Sequence, residues 1–374
     1  MNVALRSIVV TDETELAPHL DGWDRLAVAA GRPFCAPSWM LAWWREGRSG
    51  KTALRVVLAL DGERLIGVGP FFAQISYGLT ELRLLSAGFS HRIGPLAEAG
   101  EEGRVAAAMT AAMASLKPRP ASVVFEGIDA GDPWPELLAE TWPGRRPRLR
   151  TDSVMEAPVI QLDGADEAWM ERRTRNFRKL ARRTSKRLGE TEVSSRIGAD
   201  EAAVKGFLQL HHLRWNQRGG SNLDDSAERV VAAAAAELGE RGRLEVVLLE
   251  GPEGPVSAEL MLRTGPTAAI WATGFDPAWA QYAPGLQVRL VTLRAAAEHG
   301  VELVDLGGGA AEYKVRMADG DMPIAWRTLF PRGPRYPLIR LRLAPKHLRQ
   351  ALRRAAQRLP ERQRERLKRL LRRG

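Results

Sequence analysis

Alternating apolar and polar positions predict a pair of similar β-hairpins, one in each half of the chain. Residues 54–75, LRVVLALDGERLIGVGPFFAQI, read as two strands joined by an Asp61-Gly62 turn. Residues 244–264, LEVVLLEGPEGPVSAELMLRT, repeat the order of strand, Gly/Pro turn and strand. The two segments agree in order, length and polarity, so we interpret them as an internal duplication of one α/β module. Chance similarity between two hairpins is the alternative interpretation.

A strand, a helix and a second strand follow the second hairpin. The apolar segment TAAIWATGFD (267–276) predicts the first strand, and VELVDLGGG (301–309) predicts the last one. Between them, apolar residues recur at i, i+4, i+7 and i+11, on one face of a helix that Gly300 ends: Leu286, Leu290, Leu293 and Ala297. This order of elements resembles the acyltransferase core of the GNAT type.

Residues that break secondary structure mark a boundary between two modules. They cluster within one short segment: Pro143, Gly144, Pro147 and Pro158. We therefore predict three parts, namely an N-terminal module (1–150), a C-terminal module (155–335) and a basic helical tail (340–374).

The positive charge of the chain is concentrated at its C-terminal end. The 374 residues carry a formal net charge of +10. Residues 340–374 hold 14 Lys/Arg and two Glu, a net +12, so residues 1–339 are close to neutral at −2. The leucine spacing of the tail predicts a basic amphipathic helix that binds an anionic membrane surface or another polyanion. Nucleic acid is the less favoured partner, and disorder is the alternative for the tail.

Composition narrows the class of protein. Hydrophobic residues at 45% and charged residues at 27% are typical of a soluble globular chain. There is no signal-peptide pattern and no apolar run near the roughly 18 residues of a membrane span, so we expect a cytoplasmic location. The inner face of the membrane is the alternative. The single Cys35 excludes an internal disulfide framework, and no His/Cys spacing suits a metal, so none is expected.

The turn before the long helix has the features of an anion site. Unpaired N–H groups and the helix dipole favour negative charge at a helix N-terminus. A proline at the first position removes an N–H that would be unpaired anyway, and a glycine lets a ligand approach the backbone. The predicted donor-binding residues are Gly274, Pro284, Gly285, Leu286, Gln287 and Val288. An ordinary turn capped by water is the alternative.

An arginine-rich helix is predicted ahead of the second hairpin. Residues 172–187 carry nine Lys/Arg, with an apolar stripe along one face. Arginine binds phosphate in a bidentate manner, so this helix could form a cationic wall for an anionic acceptor. The predicted acceptor-binding residues are Arg172, Arg175, Arg178, His212, Trp215 and Asp305. A solvated basic face is the alternative.

Several motifs in a fixed order resemble the CelD/BcsL-like acyltransferases of the GNAT superfamily, which are related to the Fem-type aminoacyl transferases. They are RRTRNFRKLARRTSKRLGE (172–190), FLQLHHLRWNQRGG (207–220), the second hairpin, the helix segment up to Gly300, VDLGGGAAEYKVRM (304–317) and, near the start, PFCAPSWMLAWW (33–44). The resemblance implies tandem GNAT-like (acyl-CoA N-acyltransferase) modules, with an acyl donor such as acetyl-CoA in the second. The family's turn has Ser-Pro-Gly, whereas this chain has Ala283 in place of the serine.

Four residues are the candidates for the chemistry that the resemblance implies. Glu259 and Glu312 could accept the proton of the attacking amine or hydroxyl, and Tyr313 could protonate the leaving thiolate. Lys314 could hold a phosphate or a carboxylate. For each, a surface or salt-bridged role is the alternative. The first half has no turn comparable to residues 283–285, so the N-terminal module is not expected to bind the donor.

The leading hypothesis is transfer of an acyl group, acetyl first, from acyl-CoA to an amino or hydroxyl group. The expected acceptor is a sugar or cell-envelope precursor, in the setting of exopolysaccharide synthesis that the resemblance implies. Two alternatives stay open. One is a Fem-type transferase that uses aminoacyl-tRNA, and the other is a non-catalytic GNAT-like regulator of exopolysaccharide synthesis.

Overall fold

The computed structural model describes residues 5–343, except for Tyr77, Gly164, residues 217–222, Pro334, Arg335, Leu338 and Arg340. Apart from residues 341–343, the predicted basic tail lies outside the described residues. The described chain forms two β-sheets with helices packed on them, which is the mixed α/β architecture expected from the sequence.

The first sheet has the strand order β1-β2-β3-β4-β6-β15-β7, and the short β5 pairs with β3. Its strands are β1 (Arg6–Val10), β2 (Thr52–Asp61), β3 (Arg64–Ser76), β4 (Leu79–Leu84), β5 (Leu96–Ala97), β6 (Ser122–Asp129), β7 (Arg148–Met155) and β15 (Ile324–Phe330). β2 and β3 are the antiparallel hairpin predicted for residues 54–75.

The second sheet has the strand order β14-β8-β13-β12-β11-β10-β9. Its strands are β8 (Pro158–Gln161), β9 (Ser194–Gly198), β10 (Leu244–Gly251), β11 (Gly254–Thr264), β12 (Thr267–Phe275), β13 (Leu303–Asp305) and β14 (Gly320–Asp321). β10 and β11 form the second predicted hairpin.

The helices cover both sheets. They are α1 (Leu20–Ala29), α2 (Pro37–Ala42), α3 (Glu102–Ser115), α4 (Trp134–Glu140), α5 (Asp166–Glu171), α6 (Arg175–Gly189), α7 (Glu201–Asn216), α8 (Asp225–Glu240), α9 (Pro284–Glu298) and α10 (Glu312–Met317). Side-chain caps fix the starts of α6, α7 and α8: Thr174 Oγ1 accepts from Phe177 N at 3.3 Å, Asp200 Oδ1 from Ala203 N at 3.0 Å, and Asp224 Oδ1 from Ala227 N at 2.9 Å.

The two sheets repeat one topology, which supports the interpretation of a duplicated module. In each sheet, four antiparallel strands are followed by a helix and a parallel strand. The parallel pair is β4–β6 in the first sheet, across α3, and β12–β13 in the second sheet, across α9. The sixth strand, antiparallel to the fifth, is β15 in the first sheet and β8 in the second.

The sheets do not divide where the predicted modules divide. β7 crosses the end of the range 1–150 and belongs wholly to the first sheet. β15 lies within the range 155–335, yet it pairs with β6 and β7 of the first sheet. The chain therefore returns to the first sheet after completing the second. The first sheet is built from two separate segments, whereas the second comes from the continuous segment between β8 and β14.

A continuous apolar core joins the two sheets. Trp39, which lies in the buried helix of residues 37–42, contacts Trp271 of β12 with ring centroids 5.7 Å apart. Phe89, from the loop after β4, lies 4.9 Å from the ring of Trp271, and its carbonyl accepts from Trp271 Nε1 at 3.0 Å. β12 therefore lies directly against the first module.

The Gly274→Ala variant tests how tightly β12 packs on α7. A Cβ at Gly274 would lie 2.4 Å from His211 N, and backbone cannot move aside as a flexible side chain can. Overpacking of this kind costs about 1–3 kcal/mol or more, so we expect the free energy of unfolding in urea to fall by that amount. Gly285→Ala is the control, because its Cβ would meet nothing closer than 3.5 Å. Equal stability of the two variants would contradict the packing argument.

Candidate functional site

An opening between β12 and β13 is the centre of the site. The two strands pair in parallel over only three positions, from Thr267↔Leu303 to Ala269↔Asp305. β12 then continues to Phe275 along β11, while β13 ends. The register of β12 against β11 also shifts, so that Trp271 has no partner on β11. A bulge of this kind takes a residue out of the ladder and is common beside active sites.

The chain enters α9 through a tight turn. A 3-10 helix, Pro277–Tyr282, is followed by Ala283 in the left-handed conformation at φ 52° and ψ 56°. Pro284 then takes the first helical position, where its missing N–H costs nothing. The N–H groups of Leu286 and Gln287 donate to Ala283 O at 2.9 and 3.1 Å. The predicted donor contacts include Gly285, Leu286, Gln287 and Val288. Since Leu286 and Gln287 already donate to Ala283, the Gly285 N–H is the one of these three that has no backbone acceptor among the described residues.

A cavity of about 400 Å³ lies beside this turn. It is enclosed by α6, the end of α7, β12, α9 and α10. Its apolar and backbone lining includes Phe177, Leu180, Phe275, Gly285 and Leu286, and three arginines line it as well: Arg214, Arg289 and Arg316. Cavities that combine an apolar wall with a few cationic donors suit a ligand with both apolar and anionic parts.

A buried ion pair supports the floor of the cavity. Arg289 donates from Nε and Nη2 to the two carboxylate oxygens of Glu259, both at 2.6 Å. Thr273 Oγ1 also donates to Glu259 at 2.6 Å. Glu259 is 0% exposed and Arg289 is 3% exposed. Both carboxylate oxygens of Glu259 accept hydrogen bonds, and these contacts position Arg289. The role of Glu259 as a proton acceptor stays a prediction.

One donor of Arg289 is left over. Its Nη1 atom is buried and finds no hydrogen-bond partner among the residues that the structure describes. A buried donor without a partner costs about 1–3 kcal/mol, so a guanidinium in this state favours a ligand that supplies an oxygen. Arg289 lines the cavity, which gives such a ligand a place to bind.

Lys314 holds the loop that follows β13. Its Nζ atom donates to Gly307 O and Gly308 O, both at 3.0 Å. Asp305 Oδ1 accepts from Gly307 N at 2.9 Å, so the loop is fixed from both sides. Burial, with a smaller contribution from the charge of Arg289, lowers the pKa of Lys314 to about 8. The structure thus gives Lys314 two carbonyl partners, whereas the sequence suggested a phosphate or a carboxylate.

Two residues of the first module reach the same opening. Arg92 Nε donates to Asp305 Oδ2 at 2.8 Å, and Arg92 also pairs with Asp129. His91 lies between two glycines: a Cβ at Gly127 would be 2.8 Å from its Nδ1, and one at Gly308 would be 3.5 Å from its Nε2.

Burial lowers the pKa of His91, the charge of Asp305 opposes this, and the charges of Lys314 and Arg92 add to it. The net lowering of the pKa favours the neutral imidazole at pH 7. Sequence reasoning missed His91 because the residue comes from the other module. Its only signal was a lone histidine in SAGFSHRIGPL.

Of the predicted residues, those of the turn and of α10 come together. Pro284, Gly285, Leu286, Glu312 and Tyr313 all line the cavity. The side chain of Glu312 is 80% exposed and pairs with Arg316, whereas Tyr313 is 47% exposed. Tyr313 therefore has the better placement for contact with a bound donor.

Other predicted donor residues have structural contacts. Gln287 is buried and bonds to Thr184 Oγ1 at 2.7 Å, and Val288 belongs to an apolar cluster. Gly274 faces α7, so its missing side chain is required by packing.

The predicted acceptor residues do not form one surface. Arg172 pairs with Asp163 and Asp319, and His212 Nε2 lies 2.6 Å from Glu228. Arg178 donates to Glu171 O at 2.7 Å, and Arg175 is exposed at the start of α6. The indole of Trp215 stacks under Arg214, with 5.3 Å from the guanidinium carbon to the ring centroid. Of the six predicted acceptor residues, Asp305 is the one that lies at the opening between β12 and β13.

Among the described residues, no group of three or more His, Cys, Asp or Glu side chains is arranged to hold a metal ion. Within the same part of the chain, no helix has the length and apolar character needed to cross a membrane.

Comparisons with known proteins support the fold described above. Residues 173–315 match the family model of the acetyltransferase (GNAT) domain. No curated protein matches the chain. Many solved structures are similar to the chain, and three of them illustrate the likeness. FemX has 12% identity and a TM-score of 0.65, with 89% of this chain and 99% of that chain covered.

The C-terminal domain of a putative lysylphosphatidylglycerol synthetase from Agrobacterium fabrum has 10% identity and a TM-score of 0.53, with 88% and 96% covered. L-PGS from Bacillus licheniformis has the same identity and score, with 89% and 96% covered. At these identities, the structures show a shared fold. Residues 173–315 thus carry a GNAT acetyltransferase domain, which supports an acyltransferase, and the shared fold extends over both modules.

The depressed pKa of Lys314 gives a prediction for its reactivity. We expect its amine to lose its proton near pH 8, where solvent-exposed lysines as a class are still charged. Competitive labelling with acetic anhydride, read by mass spectrometry at a series of pH values, measures this midpoint. Arg289→Met removes a positive neighbour and should shift the midpoint upward. A midpoint that coincides with the bulk of the lysines would contradict burial as the cause.

The same shift affects stability. The folded chain releases this proton at about pH 8, whereas the unfolded chain releases it near the ordinary 10.5. The unfolded state binds more protons between these values, so the free energy of unfolding gains a contribution as the pH rises from about 8 to 10.5. Lys314→Met should remove that gain.

Proposed function

We propose that the protein transfers an acyl group, acetyl first, from acyl-CoA to an amino or hydroxyl group of a sugar or cell-surface polysaccharide precursor. The observation that carries the donor half of this proposal is the cavity at the N-terminus of α9, beside the opening between β12 and β13. The resemblance to CelD/BcsL-like acyltransferases supports the acceptor half.

The first module lacks the features that favour a donor. Its equivalent helix, α3, is preceded by Glu101 and begins with Glu102. These carboxylates stabilise the helix N-terminus themselves and repel a phosphate. In the second module, the corresponding positions are Ala283 and Pro284, which carry no charge. We infer that the second module alone binds the donor.

The geometry supports a direct attack on the thioester. The acceptor would approach from the side of the first module, past His91 and towards Asp305 of β13, and the thioester carbonyl would lie at the bulge of β12. As the nucleophile's N–H or O–H bond breaks, the neutral imidazole of His91 or a water can accept the proton. The carbon–sulfur bond then breaks, and Tyr313 can protonate the leaving thiolate. Lys314 keeps the loop after β13 in place during these steps.

Fem-type transfer from aminoacyl-tRNA is the second candidate function. The similarity to FemX over 99% of that chain favours it, because it extends over both modules. The basic tail of residues 340–374, of which only residues 341–343 are described, is a proposed contact for tRNA in this case. In the leading proposal, the same tail contacts an anionic membrane surface at the inner face of the membrane.

Calorimetric titration of the full chain with acetyl-CoA, CoA and a tRNA pool tests the proposal. We expect CoA compounds to bind with micromolar affinity. Gly285→Glu should weaken this binding by about tenfold or more, because it places a carboxylate where the pyrophosphate would bind. A glutamate in the first turn is favourable for a helix, so the variant should fold.

The matched control is Gly103→Glu, at the same position in α3, where a Cβ meets nothing within 4 Å. It should leave CoA binding unchanged. Binding of tRNA without binding of CoA would reject the leading proposal in favour of the Fem-type function. An equal effect of the two variants would contradict a donor site on α9.

A further inference from the structure

The C-terminal half of α6 carries a pair of arginines, Arg183 and Arg187, next to the donor cavity. We propose that this pair binds the 3′-phosphate of the donor CoA, so that the protein selects CoA over dephospho-CoA. The inference rests on the proposed function, and it assigns the basic helix to the donor, whereas the sequence suggested the acceptor.

α6 is fixed against the start of α9 by buried and polar contacts. Gln287 of α9 donates from Nε2 to Thr184 Oγ1 at 2.7 Å, and its Oε1 accepts from Ser185 Oγ at 2.8 Å. Leu188 packs in one apolar cluster with Val288 of α9. These contacts hold the last turns of α6 beside the first turn of α9, where the pyrophosphate of the donor would lie.

One flank of α6 continues from the cavity to the turn. Leu180 lines the cavity. Arg187, about two turns further on, donates from Nη2 to Gln281 Oε1 at 3.2 Å, and its guanidinium carbon lies 5.4 Å from the centroid of the Tyr282 ring. Arg183 precedes Arg187 by four residues, so the two lie on the same flank. The pair therefore stands over the 3-10 helix that leads into α9.

The charge of this helix is not neutralised. Among the described residues, none of the seven cations within α6 forms an ion pair with a carboxylate, and α6 contains no acidic residue: Arg175, Arg178, Lys179, Arg182, Arg183, Lys186 and Arg187. By contrast, Arg172 and Arg173, just before α6, pair with Asp319. Unpaired arginines beside a cavity attract a phosphate, which they can bind in a bidentate manner.

The cavity itself supplies a second observation that points to a ligand. The buried Nη1 of Arg289 has no partner within the described chain, and Arg289 lines the cavity. CoA carries amide carbonyls, a pyrophosphate and a phosphate monoester in that order from its thiol end. This order matches the order of the hydrogen-bond donors on the protein, which runs from Arg289, through the N–H of Gly285, to the arginine pair on α6.

The test compares CoA with dephospho-CoA, which lacks only the 3′-phosphate. We expect the full-length protein to bind CoA about tenfold more tightly in calorimetry at fixed ionic strength. In Arg183→Ala/Arg187→Ala, the affinity for CoA should fall to that for dephospho-CoA, while the affinity for dephospho-CoA is unchanged.

The control variant is Lys179→Ala/Lys186→Ala, which removes the same charge from the exposed side of the same helix, opposite its buried stripe. It should keep the preference for CoA. Equal affinities of the unaltered protein for the two ligands would overturn the inference while leaving the proposed function intact. An equal loss in both double variants would also overturn it, because it would show general attraction to a basic helix. Absence of binding by either ligand would reject the proposed function and the inference with it.

Discussion

The short pairing of β12 with β13 is the constraint on which the rest of the site depends. After three parallel positions, the backbone groups of the two strands part, and something other than a sheet partner must hold the loop after β13. Lys314 and Asp305 do so from within the second module, and Arg92 reaches Asp305 from the first. Side chains from both modules therefore hold the strands and the loop that border the opening.

The duplication shows how one fold can carry two roles. Both modules place a helix between the strands of a parallel pair, but the charge at the start of that helix differs. Glu101 and Glu102 stand at α3, whereas α9 begins with uncharged residues and faces a cavity lined by arginines. The fold gives each module a helix dipole, and the charge of the side chains at the helix N-terminus determines whether an anion can bind there.

The buried pair of Glu259 and Arg289 belongs to the same arrangement. Removing two charges from water costs more than their attraction returns unless hydrogen bonds satisfy them fully. Glu259 is fully engaged, but Arg289 keeps one free donor among the described residues. The pair is thus better understood as a way of holding the Arg289 guanidinium, with its unpartnered Nη1 group, in the wall of the cavity than as a source of stability.

Local elements of this fold could be predicted from the sequence, and long-range ones could not. The two hairpins, the helix after Pro284 and its end near Gly300 follow from alternation, helical spacing and turn residues. The place of β15 in the first sheet depends on pairing across nearly 200 residues, which no local pattern reveals. His91 was missed for the same reason. The prediction of Gly274 as a ligand contact has a different limit. A glycine gives the same sequence signal where another backbone segment packs closely and where a ligand binds.

Hydrogen exchange with and without CoA tests the central claim, that the second module alone binds the donor. Backbone amides of the first turn of α9 and of the end of β12 should exchange more slowly when CoA is bound, because ligand contacts and burial protect them. The first turn of α3, at residues 102–105, should not change. Protection at α3, or unchanged exchange at α9 under saturating CoA, would contradict the account.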